Sequence, residues 1–417
     1  MATQLELEER ISSFEGNADP FITEALRNTA AAMVEQAANV QPGQNVLLWF
    51  DAPSEQSIQS IQLIKELRLR CLAKGANISF FMRDLDHDAQ AISGATPDEI
   101  HHLFDEEERL VNEADVMLIV RGPEHPEAMK EVALELKTAY IARYSQIHQR
   151  RVRGEVDWTL MLWPTAYEAG KERLPEEVYF REYMEACNQP WRAIKEAQGK
   201  LKTVLDEAET IEFYANEDDP NLDHRTHVTM SIKDMTFCNS TIDSNYPGSE
   251  VFSAPVLHTV NGQIFAEGEY EYNGVLMKNI LLKIKNGKIF SAHADEGNDG
   301  LQQILNNGEG ARYFGEVALG TNPGLTRRFF NALLNEKVGG SFHMAIGHCY
   351  EYDQYGGEPV KVNNGNTEDK TSNHWDLTIL MHRKADGSGG GRVVVDGTVI
   401  QNDGKFLDPA LDILNSK

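Results

Sequence analysis

Cysteine is scarce in this chain: Cys71, Cys187, Cys238 and Cys349 are scattered, and no CxxC pair occurs. Neither a disulfide framework nor a thiolate zinc knot is indicated, and a reducing compartment is the expectation. Basic residues are the second shortage. Lys and Arg number 39 against 65 Asp and Glu, for a formal net charge of -26. That balance argues against nucleic acid as a partner, because neutralising phosphates requires clustered cations. No apolar run is long enough to span a bilayer, and the opening MATQLELEERISSFEG is polar and acidic, unlike a secretory signal. These absences predict a cytoplasmic protein without a membrane or nucleic-acid partner. Nucleotide signatures are missing as well. The turn after the first apolar run, DAPSEQ at 51–56, carries no G-x-G-x-x-G, and there is no Walker A sequence.

What is present reads as two different textures. The chain has 417 residues, enough for more than one core, with an ordinary 41% hydrophobic and 25% charged content. In the first half, apolar strand runs at 45–51, 77–84, 115–122 and 157–165 alternate with helical stripes at 21–40, 54–75, 97–114 and within 126–154. That alternation predicts an α/β domain over 1–190 with a mostly parallel sheet, Rossmann-like but without the nucleotide fingerprint. The cluster Arg150, Arg151 and Arg153 reads more simply as a helix end than as an anion site. Helices with a break at 187–190 connect to the second half, because Pro190 cannot donate to a continuing helix. From about residue 210, Asn-Gly pairs at 261–262, 273–274 and 286–287 and Asp-Gly pairs at 396–397 and 403–404 signal hairpins. Helices are expected at 298–307 and 324–336. Residues 191–417 therefore predict an α+β domain rich in antiparallel strands.

This second half sets isolated charges in apolar surroundings. Glu250 follows a Pro-Gly turn and opens a strand, and Glu316 stands alone within ARYFGEVALG. In SFHMAIGHCY, His343 alternates with Phe342 and Met344; in NHWDL, His374 and Asp376 are two apart and share one face of an extended chain. A buried carboxylate without a partner costs several kcal/mol or stays neutral, so these positions call for cations. Mixed imidazole and carboxylate donors suit zinc, cobalt or manganese. Three carboxylates with two imidazoles exceed the needs of one open tetrahedral site and fit two metals sharing a carboxylate. Taken singly, each residue also has a structural reading as an ion-pair or hydrogen-bonding partner. His343, His374 and Asp376 alone match the ligand set of a non-haem iron oxygenase, and a closed shell would suit a non-catalytic, metal-stabilised binding protein.

The ordered set N-x-P-x-x-E-V-F-x-x-P (Asn245 to Pro255), G-E-V-A-L-G (Gly315 to Gly320), G-G-x-x-H-x-A-x-G-x-x-Y (Gly339 to Tyr350) and H-W-D-L (His374 to Leu377) resembles the thermophilic metallo-aminopeptidase family of the aminopeptidase T and aminopeptidase S type. The resemblance implies an N-terminal α/β domain, a C-terminal metal-bearing domain, a cytoplasmic homodimer and a two-metal exopeptidase acting on peptides with a free N-terminus. By motif position it implies Glu250, Glu316, His343, His374 and Asp376 as ligands and Tyr350 as a further ligand or oxyanion donor. One departure stands out. The family pattern is expected to carry a catalytic glutamate about five residues before the motif histidine, where this chain has Val338; Glu336 is the nearest candidate for proton transfer. His348 reads as a bystander.

Overall fold

The computed structural model describes residues 3–16, 19–53, 59–123 and 125–416, so the start of the helix expected at 54 and much of the 51–56 turn lie outside it. The chain divides into two compact units, Met1–Asn188 with Ile242–Pro247, and Gln189–Thr241 with Gly248–Lys417.

In the first unit, Asn45–Asp51 lies in a parallel sheet between Asn77–Arg83 and Val116–Arg121, and Asp157–Leu162 follows beyond Val116–Arg121. The runs Asn45–Asp51 and Val116–Arg121 are buried on both faces almost throughout, as a helix-covered parallel sheet requires of its inner strands. Leu47, Trp49, Met117 and Ile119 point to one side by period two and pack with Ile92, Ile100, Leu110 and Tyr140. A fifth strand, Asn245–Tyr246, pairs with Asp157–Leu162, and a two-residue strand carries no periodicity for sequence to detect. Arg150 donates to the carbonyls of Val111, Asn112, Ala114 and Glu155, which gives it a capping role rather than an anion site.

Among the described residues, the second unit holds two larger antiparallel sheets and a two-stranded one, Gln354–Tyr355 with Glu358–Pro359. The larger orders its strands as Lys288–Glu296, Val275–Lys285, Asn261–Tyr272, Thr226–Ser231, Thr210–Ala215, Gly391–Val395, Thr398–Asn402 and Lys405–Phe406. Four of the expected Asn-Gly and Asp-Gly pairs have positive φ at both residues, as type I′ hairpins need. The fifth differs: Asn261 and Gly262 begin a strand, where the Gly262 backbone runs so close to the His227 carbonyl that a Cβ would lie 2.1 Å from its oxygen. The helix expected over 324–336 is likewise reduced to Ala332–Asn335. Tertiary partners hold the preceding residues instead. Arg328 lies over the Tyr270 ring at 4.0 Å and donates to the carbonyls of Glu267 and Glu269.

The smaller sheet runs His374–Leu380, Ser341–Gly347, Phe314–Gly320, Glu250–Ser253, Cys238–Ser240, antiparallel throughout. Phe342 from this sheet stacks on Phe213 from the larger one, with centroids 4.2 Å apart.

Candidate metal centre

Strand register places the candidate ligands. Glu250 pairs with Gly320, His343 with Ala318, Ala345 with both Glu316 and Asp376, and His374 with Gly347. Paired residues of antiparallel strands share a face, and so do residues two apart along a strand. The five side chains therefore project from one face of the small sheet, while Val317, Leu319, Phe342, Met344, Ile346 and Leu377 fill the buried opposite face. Between the ligands on their own face stand only small residues. A Cβ on Gly320 would lie 2.3 Å from the Val338 carbonyl oxygen, so its absence lets the 336–338 loop settle over the sheet. Glu250 enters from Ser249, whose φ of 121° is a costly conformation for a non-glycine residue. That backbone is held by buried Gln198, which donates to the Ser249 hydroxyl at 2.9 Å and to the Glu250 carbonyl at 3.2 Å.

The side chains converge in two groups, Glu250–Glu316–His343 and Glu316–His374–Asp376. His343 Nε2 is 3.3 Å from Glu250 Oε2 and 3.3 Å from Glu316 Oε1; His374 Nε2 is 3.2 Å from Glu316 Oε2 and 3.6 Å from Asp376 Oδ2. Glu316 thus presents one oxygen to each imidazole. The first group is the deeper, with His343 at 0% and Glu250 at 6% exposure. The second borders a cavity of about 120 Å³ whose lining includes Glu336, His374 and Asp376.

His374 Nδ1 lies 2.8 Å from the His348 carbonyl, which fixes Nδ1 as the donor and turns the Nε2 lone pair toward the acids. Glu250 Oε2, His374 Nε2 and Asp376 Oδ1 are buried without a hydrogen-bond partner. Such atoms are expensive to leave unsatisfied. Burial works against charge on His374, yet Asp376 and Glu316 lift it to about 10. Burial would raise Glu316, but His343 and His374 outweigh it and hold the carboxyl at about 2. Asp376 is pushed up to about 8 by burial, against the pull of His374.

Tyr350 stands at the rim, 36% exposed, with its ring 5.1 Å from that of His374. Burial of its phenol end and the charges of Glu316 and Asp376 keep the hydroxyl protonated far above its usual range. Val338 is fully buried and pairs with Asn322 through its backbone. Glu336, two residues earlier, reaches the cavity at 16% side-chain exposure. His348 offers its carbonyl to His374 Nδ1, and its ring lies 5.1 Å from that of His374. The Cys349 thiol is buried and raised by that burial, unlike a nucleophile's. Sequence reasoning passed over Lys337, whose buried ammonium lies 2.6 Å from Glu250 Oε1 and 2.7 Å from Glu336 Oε2. The available signal was a lone cation in the apolar approach to the His343 strand.

Three carboxylates gathered round two imidazoles, with buried polar atoms left over, are the donor set that suits a divalent transition metal. The fold that carries it, a parallel α/β unit followed by an antiparallel unit bearing the ligands, agrees with the wider comparison. The chain belongs to the thermophilic metalloprotease family M29, whose model matches residues 22–406. Aminopeptidase PepS of Streptococcus thermophilus is 28% identical over 375 residues, 81% of this chain and 87% of that one. Aminopeptidase T of Thermus thermophilus is 34% identical over 131 residues, 29% of this chain and 31% of that one. The structure of wild-type AmpT from Thermus thermophilus matches with a TM-score of 0.70 at 20% identity, covering 93% of this chain and 100% of that one, and supports the fold. Among the described residues, no helix is long and apolar enough to cross a membrane.

Proposed function

We propose that this chain is a metal-dependent aminopeptidase that removes the N-terminal residue of peptides, using two divalent ions of the zinc, cobalt or manganese type. The observation that carries the reading is Glu316, whose two oxygens face two separate imidazoles within two candidate ligand groups. Glu250, Glu316 and His343 would hold one ion, and Glu316, His374 and Asp376 the other. The orphaned Glu250 Oε2, His374 Nε2 and Asp376 Oδ1 fit that assignment. Such ions supply Lewis acidity, which makes amide hydrolysis accessible near neutral pH.

The chain's own groups do the rest. An amide nitrogen leaves poorly unless protonated, so a carboxylate must take a proton from water and deliver it to the amine. Glu336 is placed for this at the wall of the cavity shared with Asp376. Tyr350, protonated and beside His374, donates to the oxyanion of the tetrahedral intermediate. Glu269 and Glu271 line the same cavity and favour approach of a substrate ammonium. Residues 191–417 would form the catalytic domain and residues 1–190 a scaffold, in a cytoplasmic homodimer. An iron oxygenase would need only His343, His374 and Asp376, and it leaves the convergence of Glu250 and Glu316 without a purpose. The test is release of amine from a leucine anilide by purified protein, with chelator and then with zinc, cobalt or manganese restored. Activity that is lost and regained supports the reading; no release with any metal removes it. Light scattering checks the dimer.

A further inference from the structure

We propose that Lys337 is a positioning residue: its buried ammonium bridges Glu250 and Glu336 and so holds the Glu336 carboxylate at the reaction cavity. The proposal rests on the aminopeptidase reading above. Lysine is almost never fully buried, because removing an ammonium from water is costly unless carboxylates surround it. Here the side chain is 1% exposed and the cost is met by two carboxylates, Glu250 Oε1 at 2.6 Å and Glu336 Oε2 at 2.7 Å. The backbone is fixed around it. The Lys337 amide donates to the Leu334 carbonyl at 3.1 Å, and the Lys337 carbonyl accepts from the Asn322 amide at 2.9 Å. The loop lies where Gly320 leaves room for it. Lysine thus acts as a strut between the sheet that carries the ligands and the residue assigned to proton transfer.

The strut divides the work of both carboxylates. Glu250 gives Oε1 to the ammonium and keeps Oε2, which has no hydrogen-bond partner, toward His343. Glu336 gives Oε2 to the ammonium, and its Oε1 accepts no hydrogen bond among the described residues. A short surface glutamate would sample several rotamers. Tied at one oxygen, it spends more of its time in reach of a substrate, and proximity of that kind is a large part of general acid–base catalysis.

A double-mutant cycle with Lys337→Met and Glu336→Gln tests this, read by kcat, KM and metal content per chain. The expected result is a fall in kcat of about 10²-fold for Lys337→Met, with KM within about threefold and metal retained. In the Glu336→Gln background, Lys337→Met should then cost nothing further, since there is no longer a base to position. Equal costs in both backgrounds, loss of metal, or an unchanged kcat would each overturn the proposal. Should Lys337→Met fail to fold, Lys337→Arg keeps the cation while altering its reach, and the same non-additivity with Glu336→Gln is expected; additive losses overturn the proposal. A Glu336→Gln variant with full activity, or a wild type inert with every metal, would instead remove the catalytic reading itself.

Discussion

The two units bury charge in opposite ways. In the first, Glu107 is 2% exposed and accepts from Trp49 Nε1 at 2.8 Å, with His148 Nε2 at 2.9 Å. Arg83 is 8% exposed, pairs with Asp88 at 3.4 Å and lies over the rings of Trp49, Tyr140 and Tyr144. Each of these residues meets a donor, an opposite charge or a π face, although His148 Nδ1 is buried without a partner. In the second unit, three carboxylates gather round two imidazoles, and Glu250 Oε2, His374 Nε2 and Asp376 Oδ1 stay buried without a hydrogen-bond partner. Buried charge alone therefore does not mark a site. A buried set of acids and imidazoles with polar atoms left over points to a ligand, because binding one removes that cost.

The largest expected effect comes from Glu316, the proposed shared ligand. Glu316→Gln should lower turnover by more than about 10²-fold, beyond the usual loss for a residue that only supports a ligand, and should reduce metal content measured by elemental analysis. Full activity with full metal in that variant would remove Glu316 from the site. Next is metal removal. An ion at 100 times its dissociation constant stabilises by about 2.7 kcal/mol, so chelation should lower the melting temperature of the second unit by roughly 5–10 °C. In calorimetry the first unit's transition should stay in place, and a parallel shift of both would erase the contrast.

Acidity should separate the metal-free and metal-bound forms. His374 is raised in the fold from 6.5 to about 10. Its contribution to metal-free stability is therefore complete below about pH 6.5 and lost as pH rises through about 10. Metal affinity follows the opposite course, because the ion must displace that proton. The gap between metal-bound and metal-free melting temperatures should widen from pH 6 to pH 9, and a gap that narrows would contradict the ligand role of His374. The smallest effect on function is expected in the first unit. Glu107→Gln leaves His148 and Trp49 with a weaker acceptor and should destabilise by about 1–3 kcal/mol. Denaturant melts would record that loss, while kcat and metal content stay at wild-type levels.

Much of this was legible in local pattern. The parallel sheet declared itself through apolar runs at 45–51, 77–84, 115–122 and 157–165, because a strand buried on both faces has little choice of residue. The turn pairs at 273–274, 286–287, 396–397 and 403–404 worked because positive φ restricts the residues that fit. Where a long-range contact competed, the pattern misled. The 324–331 stretch has helical spacing, but Arg328 finds Tyr270 and two carbonyls of a distant strand. Asn261-Gly262 has hairpin composition, yet the approach of the His227 backbone uses that glycine otherwise.

The candidate ligands divide along the same line. By itself the sequence determined that isolated acids and imidazoles occupy strands at period two, since side-chain alternation is a local property of extended chain. It also set the acidic balance and the small residues, Gly320, Ala345 and Gly347, that leave space on the sheet face. Only the tertiary structure decided that strands far apart in sequence pair in a register that brings Glu250, Glu316, His343, His374 and Asp376 to one face. It alone folded the 336–338 loop over Gly320 and put the Lys337 ammonium between Glu250 and Glu336. The reason is physical: register and burial are set by the whole core at once, and a lysine becomes a strut only where the fold has already removed the water around it.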